Sequence, residues 1–139
     1  MEGGSVSGNN AVSDVYFVQN ANSLTLSASA TVGNLILSRT ATANPGVTIT
    51  PGWSGTVSGL HLRGANADMS TVIGWWFNAG SPVTVARGDG LNPTTLGQIT
   101  LGDFMSGADS GNRQAISAAA AGAPNGFMLN AAGGLVAAP

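Results

Sequence analysis

The chain has one residue of the kind that most often acts as a general base, His61. It stands between Leu60 and Leu62, and on a β-strand its side chain points away from the face that those leucines share. A serine nucleophile would need a positioned base and an orienting acid, and no serine stands in the Gly-x-Ser-x-Gly pattern. The chain has no lysine, which excludes the Gly-x-x-x-x-Gly-Lys phosphate loop. The sequence therefore predicts a non-enzyme without catalytic residues or a cofactor.

Oxygen-bearing side chains that could bind calcium occur in two short runs. One contains Asp103, Asp109 and Asn112, and the other contains Asn66 and Asp68. Neither run has the closely alternating acids of a dedicated calcium loop, so helix caps and turns explain them more simply. Because cysteine is absent, disulfides and thiolate-bound zinc are excluded as well. We expect no metal site.

Aromatic side chains are concentrated at Trp75, Trp76 and Phe77, and Trp53 is the only other tryptophan. On a strand, Trp75 and Phe77 would share one face and Trp76 would take the other. Such rings can stack on sugars, but only Asn78 offers a hydrogen-bonding side chain close by in sequence. The pattern favours Trp75 and Phe77 as core residues and Trp76 as an anchor for a subunit contact.

The tripeptide Arg87-Gly88-Asp89 matches the sequence that integrin ligands present on a tight loop. A match of three residues is common by chance, and glycine beside aspartate is ordinary turn chemistry. We interpret it as a turn.

The composition indicates the environment in which the protein occurs more than the chemistry that it performs. Charged residues make up 7% of the 139 residues, against about 25% in an ordinary soluble domain. The net charge of −2 leaves no basic surface for nucleic acid, and no apolar run approaches the length of a membrane span. The first residues lack the basic and apolar regions of a secretory signal. Such a surface of small polar residues is typical of a protein packed in a large extracellular assembly.

Short apolar-polar alternations separated by Gly, Pro and Asn cover most of the chain. They predict strands at 14–18, 23–27, 34–38, 47–50, 56–63, 71–78, 82–87, 98–101 and 126–130. This spacing predicts an all-β fold, an antiparallel β-sandwich or jelly roll with extended arms. We expect a single domain over 1–139, with an N-terminal arm at 1–13, a β core at 14–130 and an apolar tail at 131–139. For 115–121, a short helix and an ordered coil fit equally well.

A weaker rhythm supports a different architecture. Arg39, Arg63 and Arg87 each end a strand-like run, and the spacings along the four arginines to Arg113 are 24, 24 and 26 residues. A period in the twenties can mark the successive coils of a β-solenoid. Because the intervening segments share no further pattern, the solenoid remains the alternative.

One segment resembles a known class of protein. The run TVIGWWFNAGSPVTV at 71–85 looks like a pattern of phage β-structural proteins, in which a strand enters Asn-x-Gly-Ser and a strand rich in Thr and Val follows. The runs at 98–101 and 126–129 would continue it. Capsid decoration (cement) proteins, tail-fibre domains and some coat proteins share this pattern.

The resemblance implies a tailed-phage virion protein on the outer capsid surface, extracellular after release. We expect a decoration protein that binds the major capsid protein, forms a homotrimer and stabilises contacts between capsomers, without nucleic acid or membrane as partner. A fibre domain that binds a receptor and a carbohydrate-binding module are the alternatives; glycan binding has no other support. The expected interface residues are Val6, Val12, Trp53, Trp75, Trp76, Phe77, Phe127, Leu129, Leu135 and Val136.

Overall fold

The structure is a computed structural model that describes residues 1–8, 14–17, 23–40, 46–77, 84–107, 112–116, 126–129 and 135–137. Within these ranges the chain forms eleven strands and two helices. In chain order they are β1 (Ser5–Val6), β2 (Val15–Phe17), β3 (Ser23–Leu26), β4 (Thr31–Arg39), β5 (Gly46–Ile49), β6 (Val57–Gly64), α1 (Met69–Phe77), β7 (Thr84–Arg87), α2 (Pro93–Leu96), β8 (Ile99–Ser106), β9 (Arg113–Ala115), β10 (Gly126–Leu129) and β11 (Leu135–Ala137).

The strands form two sheets. The first sheet has the order β1-β4-β6-β8-β9, with β2 also paired to β4. The second sheet has the order β11-β10-β7-β5-β3. Most pairs are parallel, and the antiparallel ones are β8 with β9, β7 with β10 and β10 with β11.

Consecutive strands of the central region alternate between the sheets. Strands β3, β5 and β7 of the second sheet are each followed by a strand of the first, so that β3–β4, β5–β6 and β7–β8 form three stacked layers. Leu35 pairs with Leu60, 25 residues later, and Thr56 donates its backbone N–H to the Thr31 hydroxyl across the same interval. The next layer is offset further because α1 and α2 are inserted, and Leu62 pairs with Phe104.

The predicted all-β antiparallel sandwich is therefore wrong; the chain is a mixed α/β protein with mostly parallel sheets. Alternation of apolar and polar residues is the same in parallel and antiparallel strands, so it could not decide between them. The regular spacing of the arginines also does not correspond to one equivalent position in every layer. Arg39 and Arg63 lie near the ends of β4 and β6, whereas Arg87 lies in the second sheet opposite Thr48.

The segment 71–77, predicted as a strand, belongs to helix α1. Asp68 caps it, because its carboxylate accepts hydrogen bonds from the backbone N–H of Thr71 at 3.0 Å and the Thr71 hydroxyl at 2.9 Å. Val72 and Trp76, four residues apart, are both fully buried in the core. The β-branched and aromatic residues of this segment favour strands, but the cap and the packed helical face outweigh that preference.

The core is built from rows of like side chains that the parallel register aligns. Leu35 and Leu60 form one row, Leu37, Leu62 and Phe104 form another, and all five are at most 2% exposed. Leu26 and Ile49, paired in the second sheet, belong to the same apolar cluster. Aligned leucines fill space densely and remove apolar surface from water on every layer.

The corner before β6 depends on a close approach between two layers. Trp53 donates its indole N–H to the Ala30 carbonyl at 2.8 Å, and Ser54 donates its backbone N–H to Ala28 at 2.7 Å. A Cβ at Gly55 would overlap the Ala30 carbonyl, so only glycine fits there without a backbone shift.

We expect Gly55→Ala to lower the free energy of unfolding by about 2 kcal/mol, the typical cost of overpacking. Gly74→Ala is the matched control, because it lies in α1 with no atom within 4 Å of an added Cβ. That variant should gain about 0.5–1 kcal/mol through the lower entropy of its unfolded chain. Urea unfolding of both variants measures the difference, and equal stabilities would contradict the close approach.

Candidate functional site

The proposed N-terminal contact residues lie against the chain's own first sheet where they are described. Val6 is half-buried in β1 and pairs with Val32 of β4. The amino group of Met1 donates to the Thr25 carbonyl at 2.7 Å, and Ser27 donates its backbone N–H to the Met1 carbonyl at 3.0 Å. Val12 lies outside the described residues. Residues 1–8 thus cover edges of this chain's own strands.

The tryptophans hold the fold together from within. Trp53 is 2% exposed and Trp76 is fully buried, with its indole N–H donated to the Arg63 carbonyl at 3.3 Å. Trp75 is half-buried, and Phe77 is the last residue of α1. Neither Trp53 nor Trp76 can present a ring to a sugar or a partner without unfolding its surroundings.

Arg39 fastens α1 to the first sheet. Its guanidinium lies 5.6 Å from the centre of the Trp76 ring, donates to the Trp75 carbonyl and donates through Nε to the Thr40 carbonyl at 3.2 Å. The last turn of α1 has no basic residue of its own, so Arg39 supplies the positive charge that a helix C-terminus favours. Burial lowers the pKa of Arg39, but arginine remains charged at neutral pH.

Arg63 plays a similar part on the other face of the sheet. It donates to the Gly107 carbonyl through Nε at 2.6 Å and to the Tyr16 hydroxyl at 2.6 Å, and its guanidinium lies 5.3 Å from the centre of the Tyr16 ring. It thereby connects β2, β6 and the end of β8. The sequence singled out both arginines by their spacing, but not these contacts.

The proposed C-terminal contact residues form the end of the second sheet. Phe127 and Leu129 belong to β10, and Leu135 and Val136 belong to β11, where Leu129 pairs with Leu135 and Met128 with Val136. In the described part of the chain, β11 and β3 are the two edges of this sheet. Since β11 is antiparallel to β10, and β10 to β7, it runs parallel to β3 at the opposite edge.

His61 lies half-buried on the face of β6 that points away from the core. Its Nδ1 accepts a hydrogen bond from the Asp103 backbone N–H at 3.1 Å, so the neutral ring carries its proton on Nε2, 3.4 Å from the Asn34 side-chain oxygen. Both ring nitrogens are engaged, and taking a substrate proton would break the contact at Nδ1. This geometry assigns His61 a structural role.

A bulge in β8 creates this contact. Leu60 pairs with Leu101 but Leu62 pairs with Phe104, so one extra residue of β8 stands opposite His61. A Cβ at Gly102 would overlap the imidazole ring, which explains the glycine at this position. Asp103 also forms an ion pair with Arg113 of β9 at 3.7 Å.

The remaining sequence candidates have local structural roles. Gly88, in the Arg87-Gly88-Asp89 tripeptide, has a φ of 130° and a Cβ there would overlap the backbone of Ile49. Of the residues considered as calcium ligands, Asp68 caps α1 and Asp103 pairs with Arg113, while Asp109 lies outside the described residues. Within the described ranges, no group of three or more His, Cys, Asp or Glu side chains could hold a metal ion.

Comparison of the chain with protein-family models, with curated proteins and with solved structures found no match. No helix among the residues that the structure describes is long and apolar enough to cross a membrane.

We expect the stability of the protein to fall as the pH decreases below about 6.5, the ordinary pKa of histidine. Burial lowers the pKa of His61 and Arg113 adds to the lowering, whereas Asp103 opposes it. The unfolded chain therefore binds a proton at His61 more readily than the folded chain does. The full contribution of neutral His61 to the free energy of unfolding is present only above the pKa that His61 has in the unfolded chain. The free energy of unfolding should fall by at most about 1.4 kcal/mol per pH unit, the limit for one proton.

Urea unfolding at pH 7.5 and pH 5.5 measures this change. Because His61 is the only histidine, the His61→Gln variant should show a flatter dependence over this interval. An unchanged slope in the variant would show that another group is responsible.

We expect Arg39→Met to lower the free energy of unfolding by about 2 kcal/mol, because it removes charged hydrogen bonds at the end of α1. Arg87→Met is the matched control, since Arg87 is an exposed arginine on a strand, and should change stability by less than about 0.5 kcal/mol. Thermal or urea unfolding compares the two. Equal effects would contradict the fastening role of Arg39.

Proposed function

We propose that the chain is a non-enzymatic structural protein of a tailed-phage virion, a decoration protein that binds the major capsid protein on the outer capsid surface. In this role it acts as a homotrimer that stabilises the contacts between capsomers. Its chemistry is contact between surfaces, and no reaction is required of it.

The observation that carries the proposal is the edge of the second sheet. Within the described residues β11 is an edge strand; its sequence is Leu-Val-Ala, and no side chain in the segment 131–139 is charged. Exposed sheet edges are normally protected by charged side chains, proline within the strand or bulges, because an unprotected edge pairs with other chains. An uncharged apolar edge strand suits the addition of a strand from a partner, in which backbone hydrogen bonds supply affinity.

Composition and fold support the same role. A surface with few charges suits close packing among many subunits. The chain has no cysteine, so the stability that a capsid exterior requires must come from sources other than disulfides. The parallel layers supply it through continuous backbone pairing across β4, β6 and β8. Arg39 and Arg63 are used inside the chain, which leaves little charge to oppose association.

A fibre domain is the second candidate. Stacked layers in which each contacts its neighbours are typical of elongated modules, and the β3–β4, β5–β6 and β7–β8 layers have this arrangement. Such a domain would bind a receptor through its exposed loops. Binding to tails instead of capsids distinguishes it from the decoration protein.

We expect the purified chain to form a trimer, three times the chain mass of 13.7 kDa, and to sediment with expanded tailed-phage capsids stripped of their decoration proteins. Light scattering and co-sedimentation measure the two properties. A monomer that leaves every capsid unbound would contradict the proposal.

The variant Val136→Lys tests the edge strand itself. A lysine on β11 should weaken capsid binding at least tenfold, because charge on an edge strand opposes pairing with another chain. Thr100→Lys is the matched control, as Thr100 is exposed on β8 in the other sheet. Circular dichroism verifies that both variants are folded, and equal capsid binding by the two would exclude β11 as the contact.

A further inference from the structure

A pocket of about 360 Å³ lies between the start of α1 and strand β9. The described residues that line it are Asp68, Met69, Ser106, Asn112, Arg113 and Gln114. Its volume falls at the lower end of the roughly 300–1,000 Å³ that small-molecule sites occupy. It lies in the first sheet and is therefore distinct from the β11 edge on which the proposed function rests.

Hydrogen bonds hold two parts of the pocket wall in place. Asp68 is fixed by its two hydrogen bonds to Thr71, and these hydrogen bonds lower the pKa of its carboxyl group and keep it ionised. The backbone N–H of Ser106 donates to the Asn112 carbonyl at 3.2 Å, which anchors the start of β9 on β8. A pocket with positioned polar groups binds a small ligand at a lower ordering cost.

The lining residues carry both hydrogen-bond donors and acceptors. Asn112 and Gln114 are exposed, and each amide side chain offers both an oxygen acceptor and an NH₂ donor. The Ser106 hydroxyl can do both, Asp68 accepts and Arg113 donates. A matching ligand carries neighbouring groups that each donate and accept, as the adjacent hydroxyls of a saccharide do. Met69 adds an apolar surface against which the C–H face of a sugar can pack.

The charges around the pocket favour a neutral ligand. Asp68 contributes one negative charge at the wall, while the positive charge of Arg113 is shared with Asp103, 3.7 Å away. Asp68, Asp103 and Arg113 together carry a net charge of −1. An anionic sugar would be repelled by this net charge, and a neutral sugar would not.

We propose that this pocket binds a neutral saccharide through the side chains of Asn112, Gln114 and Asp68. No tryptophan is among the described residues that line the pocket, so the aromatic platform considered from the sequence is not part of this site. The site would give the protein a contact with glycans in addition to its contacts within an assembly.

Titration of the ¹⁵N-labelled chain with glucose, galactose, mannose and N-acetylglucosamine, each to about 50 mM, tests the proposal by NMR. We expect at least one of them to cause saturable shifts at the backbone amides of Met69, Ser106 and 112–114, with a dissociation constant on the order of 1 mM. Glucuronate, the anionic comparison, should cause no saturable shift at these amides.

The variants Gln114→Ala and Asn112→Ala should each weaken binding of that sugar about fivefold or more, through loss of hydrogen bonds. Thr100→Ala, an exposed change on β8 outside the pocket, should leave the affinity unchanged. The dispersion of each spectrum verifies folding. Absence of saturable shifts with all four neutral sugars, undiminished binding by both amide variants, or equal binding of glucuronate would overturn the proposal. None of these results depends on capsid binding.

Discussion

Parallel pairing of β4, β6 and β8 is the constraint on which the other features of the molecule depend. It places Leu35 beside Leu60 and Leu37 beside Leu62, so that each layer buries its apolar side chains against the same rows of the next. The rows tolerate long insertions, because the loops that connect the layers leave the sheet at its ends. Helix α1 occupies the connection between the second and third layers and covers the core through Val72 and Trp76, whereas α2 lies within the third layer, between β7 and β8.

The few charges of the chain are used mainly to fasten these elements together. Arg39 joins β4 to the C-terminal end of α1, and Arg63 joins β2 to the end of β8. Asp68 caps α1, and Asp103 pairs with Arg113 across the last two strands of the first sheet. In a chain with so few ionic groups, internal use of charge leaves a surface of small polar residues that can pack closely against other molecules.

The two proposed contacts use different parts of the surface. Within the described residues, β11 is an edge strand of apolar sequence, which suits pairing with a protein. The pocket beside β9 presents amides, a hydroxyl and a carboxylate, which suit the hydroxyl groups of a small ligand. The two lie in different sheets, so that one molecule could engage an assembly and a glycan together. His61 contributes to neither and instead stabilises the bulge of β8.

The sequence by itself determined the strand-rich character and most strand positions in the described region. It could not determine that the strands are parallel, because parallel pairing joins residues 20 or more positions apart while alternation is a local property. The helix at 69–77 was missed because its β-branched and aromatic residues favour strands, and only packing of Val72 and Trp76 in the core decides otherwise. The pocket combines the turn before α1 with β9, so only the tertiary structure could bring Asp68 and Gln114 together.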